Sequence, residues 1–309
     1  MLALSVIIAS HNRADLVAQA LDSLVQQTVP QAEYEVIVVD NASTDHTAQV
    51  AKDKTDVIPG LRYIFEKRLG LSWARNAGML AATGRYIAYL DDDATAEPQW
   101  IEALLAAFAT QPAPACIGGR VELNWAGRPQ SVPQRYWSLL TYLDYGTEDR
   151  PLTSKEYLVG ANMAFERGAL LRTGGFSTDL GRQGGKLLSG EEAQIVERIR
   201  QEGGLVYYAS RATVWHLVQA ERTRRSWLWR RIFWDGATQP VLDGAPRRTP
   251  SHCALQACRD MKRIVFFSLH CLAALARQDR QGGLDFALNA TQRAGRLRTH
   301  LLLLFGSAS

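Results

Sequence analysis

Short apolar runs alternate with helically spaced segments through the first ninety residues. LSVIIA (4–9) has the near-continuous apolar character of a strand buried on both faces. The following RADLVAQALDSLVQQT places Leu16, Ala20 and Leu24 on one helical stripe, with Val17 and Leu21 beside it, and stops before Pro30. The unit recurs. EVIVVD (35–40) predicts a second buried strand, and NASTDHTAQVAKD predicts a helix capped by Ser43 or Thr44. LRYIFE then leads into SWARNAGMLAATG, where Gly84 is expected to act as the helix stop, and RYIAYL predicts a fourth strand ending at Asp91. Strands alternating with helices at this spacing predict an α/β fold, with a mostly parallel sheet flanked by helices and joined by right-handed crossovers.

Further along, QWIEALLAAFA predicts a helix and CIGGRVEL a strand, while residues 125–157 have many aromatics and no clear period. Between Thr173 and Glu191 six glycines predict a mobile loop beside a site. GEEAQIVERIRQEGG predicts a helix, and LVYYAS and ATVWHLV two strand-like pieces. From about Pro250 the pattern predicts two amphipathic helices, 252–277 and 283–305. The expected organisation is a main domain over 1–220 and a helical C-terminal extension over 221–309.

Composition changes this picture little. The 309 residues are 47% hydrophobic and 21% charged, an ordinary globular balance. Net charge is +4, and the basic residues concentrate between Arg222 and Arg231, where five arginines alternate with Trp227 and Trp229. Such a cluster suits phosphate or an anionic membrane surface, and it equally suits an amphipathic helix with packed tryptophans and solvated arginines. No nucleic-acid partner is expected. The four cysteines form no CxxC pair and are expected to be reduced, as in a cytoplasmic protein. The N-terminus lacks a signal-peptide pattern, and the longest apolar run, Ile264 to Ala276, is shorter than a membrane span. The expected location is cytoplasmic, with peripheral docking on the inner face of the cell membrane as a further candidate.

The chemistry gathers at the carboxyl ends of the predicted strands, where open α/β sheets bind ligands. SHNR (10–13), Asp40 and the triplet Asp91, Asp92 and Asp93 all fall there. Three adjacent carboxylates repel one another, and a divalent cation such as Mn2+ or Mg2+ relieves that cost; the competing reading is a solvated turn capping the next helix. There is no GxGxxG turn and no P-loop, so a dinucleotide oxidoreductase is disfavoured.

Five blocks in order, VIIASHNRADLVAQALDSL, EVIVVDNASTD, GLSWARNAGMLAATGRYIAYLDDDA, GANMAFERGALLRTGGF and SGEEAQIVERI, resemble the family 2 glycosyltransferases of the GT-A (Rossmann-like) fold over roughly residues 4–220. The resemblance implies an inverting, metal-dependent transferase that moves a single sugar from a nucleotide-sugar donor to a saccharide or lipid-linked acceptor. Uridine is the expected donor base, with thymidine and guanosine open. It implies that Asp40 holds the base in a pocket lined by Ser10, Asn12 and Arg13, and that Arg75 lies near the base or diphosphate. Asp91 and Asp92 would sit on the nucleotide, Asp92 at the ribose, and Asp93 would ligate the metal. His216 stands where a further metal ligand is found in many such enzymes, and it reads equally well as a structural histidine.

Relatives usually carry Glu-Asp where this chain has Glu191-Glu192, and alignment gives Glu192 the place of catalytic base, with Glu191 as its rival. Ser189 and Glu192 also form a capping-box pattern at the start of the helix. The processive synthases of the family resemble the chain less, because their QxxRW signature and membrane spans are missing. A non-catalytic nucleotide-sugar or carbohydrate binding protein on the same fold is the alternative.

Overall fold

The computed structural model describes residues 2–126, 132–178, 180, 190–244 and 248–305. Its first seven elements are β1 (Leu4–Ser10), α1 (Ala14–Val25), β2 (Tyr34–Asp40), α2 (Thr47–Asp53), β3 (Leu61–Phe65), α3 (Leu71–Ala81) and β4 (Tyr86–Leu90). The strands lie in the order β3-β2-β1-β4, all parallel. Alternation within β1 explains why its run is apolar throughout. Leu4, Val6 and Ile8 enter the core beneath α1, while Ile7 joins Ile37 and Val39 in a second core on the opposite face. In register, Ser10 stands beside Asp40, so the polar residues that end these strands share one edge.

The sheet continues through β5 (Ala94–Ala96), β6 (Cys116–Trp125), β7 (Arg150–Pro151), β8 (Asn162–Glu166) and β9 (Val206–Val218), with α4 (Trp100–Phe108), α5 (Arg167–Arg172) and α6 (Glu191–Gln201) between them. Beyond β4 the order is β8-β6-β9-β5, with β7 also on β9. These pairings are antiparallel except β6 with β9, so the sheet is parallel in its first half and mixed in its second.

Three local expectations are corrected. Helix α2 begins at Thr47, not beside Ser43 or Thr44. The Asp45 carboxylate accepts from the Thr47 amide, and Ser43 and Thr44 instead bond to Asn12. Gly84 does not stop α3, which ends three residues earlier; it passes so close to β1 that a Cβ there would lie 2.7 Å from the Leu4 carbonyl carbon and the Ser5 nitrogen. LVYYAS and ATVWHLV are parts of one strand, β9, whose register against β6 shifts between Gly119 and Val121. In the stretch without period, Gln134–Leu140 forms a 3-10 helix ahead of β7. Most of the glycine-rich segment, residue 179 and residues 181–189, lies outside the described residues, and so does Ser189 of the capping-box pattern.

Two compact units divide the chain: the sheet unit just described and a helical unit formed chiefly by the residues from Glu221 onward. The second contains α7 (Arg225–Leu242), α8 (Pro250–Ala276) and α9 (Arg280–Phe305), with α9 packed against both of the others. Pro250 takes the first turn of α8, and Thr249 caps it by accepting from the His252 amide. In α7 Leu228 and Ile232 are buried, Arg225 and Arg230 are exposed, as is Arg224 at the N-cap, and Trp227 and Trp229 are half-buried. Helix α7 meets α9 backbone to backbone: a Cβ on Gly236 would lie 1.9 Å from the Gln292 carbonyl oxygen, and one on Gly295 would lie 2.0 Å from that of Phe233. Among the described residues no helix is long and apolar enough to cross a membrane.

Candidate active site

The loop after β4 turns back at once, the Ala94 amide donating to the Asp91 carbonyl, and β5 then pairs antiparallel with β9. That pairing sets Ala94 opposite His216 and brings the histidine to the end of the aspartate run, where the Leu217 amide donates to the Asp93 carbonyl. His216 Nε2 lies 3.2 Å from Asp93 Oδ1, and both residues are buried. One ligand atom each from Asp91, Asp93 and His216 lies within 4.8 Å of the others, a donor set that fits a divalent cation. Asp91 therefore joins Asp93 and His216 in this cluster.

Asp92 faces a different neighbourhood. Its carboxylate accepts from the Ser10 hydroxyl at 2.6 Å and from Arg13 Nη1 at 2.8 Å, and the same guanidinium nitrogen reaches Asp93 at 3.1 Å. Burial pushes the Asp92 carboxyl up to about 6; Arg13 and the Ser10 bond oppose that rise, while Asp93 and Asp91 add to it. For Arg13 burial acts to lower its pKa, but Asp92 and Asp93 outweigh it, so the group stays charged. Asn12 takes a left-handed conformation, with φ of 54°, and ties this loop to the next one. Its amide donates to Ser43 Oγ, and its side-chain oxygen accepts from the Thr44 amide.

Asp40 lies at the same edge and is buried. Its oxygens accept from the Ser43 amide at 2.8 Å and from the Tyr63 hydroxyl at 2.7 Å. Burial and the bond to Asp40 push the Tyr63 phenol up to about 12. Sequence reasoning missed Tyr63 and Asn41. The Asn41 amide group donates to the Glu66 and Arg68 carbonyls, and its oxygen accepts from Gly70, so one side chain organises the loop between β3 and α3. The adjacency of Asn41 to Asp40 was the available signal.

Arg75 belongs to α3 and is buried. It is 2% exposed and projects from α3 into a cluster of carboxylates: Asp91 at 3.0 Å, Glu191 at 3.1 Å and Glu192 at 3.2 Å. Burial acts to lower its pKa, and the three acids more than reverse this. One guanidinium thus links the first turn of α6 to the aspartate run. The two glutamates differ in access, since the Glu191 side chain is 3% exposed and that of Glu192 is 18% exposed. Gly160 makes the approach possible: a Cβ there would lie 2.3 Å from both Arg75 Nη2 and Glu192 Oε1.

The chain belongs to glycosyl transferase family 2, whose profile matches residues 5–173. It is 32% identical over 243 residues to the glucosyl-dolichyl phosphate glucuronosyltransferase of Haloferax volcanii, the match covering 77% of each protein. Among solved structures, it is similar to the mannosyltransferase PcManGT of Pyrobaculum calidifontis in complex with GDP-Man and Mn2+, at TM-score 0.62 and 22% identity over 95% of this chain and 86% of that one. It is also similar to TarS 1-349 of S. aureus in complex with UDP-GlcNAc, at TM-score 0.58 and 16% identity over 94% and 91%. At such identities these structures speak for the fold.

Proposed function

We propose that the protein transfers one sugar from a nucleoside-diphosphate donor, UDP-linked as the first to test, to a hydroxyl of a saccharide or lipid-linked acceptor, with inversion at the anomeric carbon. The observation that carries this reading is the bridge made by Arg75 between Asp91 and the Glu191–Glu192 pair. It ties an acid open enough to meet an acceptor to the carboxylates that would face the donor. The two similar complexes hold GDP-Man and UDP-GlcNAc, and the Haloferax volcanii relative is named for a dolichyl phosphate-linked sugar; these names support both the donor class and the lipid-linked option.

Asp40 would accept from the base, its orientation fixed by Tyr63 and the Ser43 amide. Asp92, held by Ser10 and Arg13, would meet the ribose. Asp91, Asp93 and His216 would hold a Mn2+ or Mg2+ ion, which when bound supplies positive charge to the leaving diphosphate. Glu192 would take the acceptor's proton as the acceptor oxygen attacks the anomeric carbon. The bond from that carbon to the diphosphate oxygen then breaks on the opposite face, and its electron pair leaves with the nucleotide. A single displacement of this kind inverts the centre.

The test is the Asp93→Asn variant, titrated calorimetrically with UDP in the presence and absence of manganese. It is expected to lose the manganese-dependent part of the affinity while its circular dichroism stays unchanged. Retention of that metal-dependent affinity would remove Asp93 from the proposed cation site.

A further inference from the structure

Helix α8 is apolar on a side that is exposed among the described residues. Cys253, Ala257, Asp260 and Ala274 are buried, and on the opposite side Leu255, Met261, Val265, Phe266, Leu269 and Leu272 are each roughly half exposed or more. Met261, Val265, Leu269 and Leu272 follow the i, i+4, i+8, i+11 spacing of a single stripe. From Leu255 to Leu272 that exposed face runs about 25 Å along the helix axis. Isolated exposed leucines are ordinary, but a mainly apolar face of this length marks an interaction surface.

The charges around the stripe identify the occupant. Lys262 projects from within it and Arg259 and Arg263 flank it, all three exposed. The only acidic residue of α8 is Asp260, which is buried and paired with Arg293 and Arg296 of α9. A second copy docking by two-fold symmetry would set this basic face against itself with no exposed carboxylate of α8 to compensate, and the centres of protein interfaces are depleted in lysine. A bilayer surface rich in anionic headgroups meets both requirements. Apolar side chains enter the acyl boundary, and the lysine and arginines extend along it to phosphate.

We propose that α8 is an interfacial helix that docks the protein, lying in the plane of the membrane, on an anionic lipid surface. The proposal stands apart from the transfer chemistry, because it concerns the helical unit alone and needs neither donor nor acceptor. It gives the apolar run of the C-terminal sequence a task other than spanning the bilayer.

Co-sedimentation with vesicles of equal parts phosphatidylcholine and phosphatidylglycerol, and with vesicles of phosphatidylcholine alone, tests it. The full-length protein is expected to pellet with the anionic vesicles at least tenfold more tightly than with the neutral ones. The double variant Val265→Glu with Leu269→Glu should stay in the supernatant with an unchanged circular dichroism spectrum, both positions being exposed. Lys262→Ala with Arg263→Ala should weaken anionic binding about 25-fold, from about fivefold per basic residue. The proposal is overturned if the unmodified protein fails to pellet, or if the glutamate variant pellets as well as the parent. It is overturned too if light scattering shows a dimer that this variant dissociates, which would give the face to a second copy.

Discussion

Glu191 and Glu192 are neighbours with unequal chances of catalysis. Both bond to Arg75 Nη1, but Glu191 is sealed in and Glu192 keeps part of its side chain in the open, as a base that must meet an acceptor requires. If Glu192 removes the acceptor proton, Glu192→Gln should lower turnover by roughly two to four powers of ten while UDP affinity holds, because shape is kept and basicity is lost. If it serves only the helix start, glutamine caps as well and activity should stay near normal. Glu191→Gln is the control, and a collapse in that variant alone would move the base one residue back. The positions of these acids were legible in the sequence because each falls at a strand end or a helix start. Their common partner was not: Arg75 is 16 residues from Asp91 and 116 from Glu191, and only the packing of α3 beneath the strand ends closes those distances. Nor does spacing place His216 beside the aspartate run, since it is the pairing of β5 with β9 that carries it there.

Among the elements, the parallel strands were legible because their apolar runs are the direct consequence of burial on both faces. Errors arose where backbone contact or hydrogen bonding at a distance decided the outcome. Gly84 resembles a helix stop, yet it is a glycine because the chain runs against Leu4 and Ser5 there, with its amide donating to Ser5 Oγ. Strand β9 looks like two pieces because Ser210 and Arg211 interrupt its apolar run. In the fold the extra residues bulge, and the Ala212 carbonyl accepts from the Asn162 side chain beside Gly119. The Gly84 account carries a prediction. In a left-handed C-cap position Gly84→Ala would cost about 1–2 kcal/mol. Here the new methyl meets backbone on both sides, so the loss should be about 1–3 kcal/mol and accompanied by a shift of the strand edge. Urea denaturation measures the first. Amide chemical-shift changes at Leu4, Ser5 and Tyr86 measure the second, and their absence would return Gly84 to a simple capping role.

At the scale of the whole molecule, the chain holds two compact units. The proposed donor groups all belong to the sheet unit, while Gly236 and Gly295 belong to the helical one. Two perturbations should therefore act separately in scanning calorimetry. UDP with manganese at a hundred times its dissociation constant adds about 2.7 kcal/mol to whichever unit binds it, which for the sheet unit corresponds to about 5–10 °C. Gly295→Ala acts on the other unit, and there two effects compete. Helix propensity favours alanine in mid-helix by about 1 kcal/mol. Against this, the added Cβ would stand 2.0 Å from the Phe233 carbonyl oxygen and 2.8 Å from the Ala237 nitrogen, both main-chain atoms that cannot rotate aside. Separating α7 from α9 should outweigh the gain, for a net loss of about 1–3 kcal/mol. In a unit of this size that lowers its transition by about 5–15 °C. The expected record shows two transitions, one raised by the nucleotide and the other lowered by the substitution. A single transition that moves with both perturbations would mean that the units unfold together, and a rise with Gly295→Ala would mean that the close approach of α7 and α9 is not required.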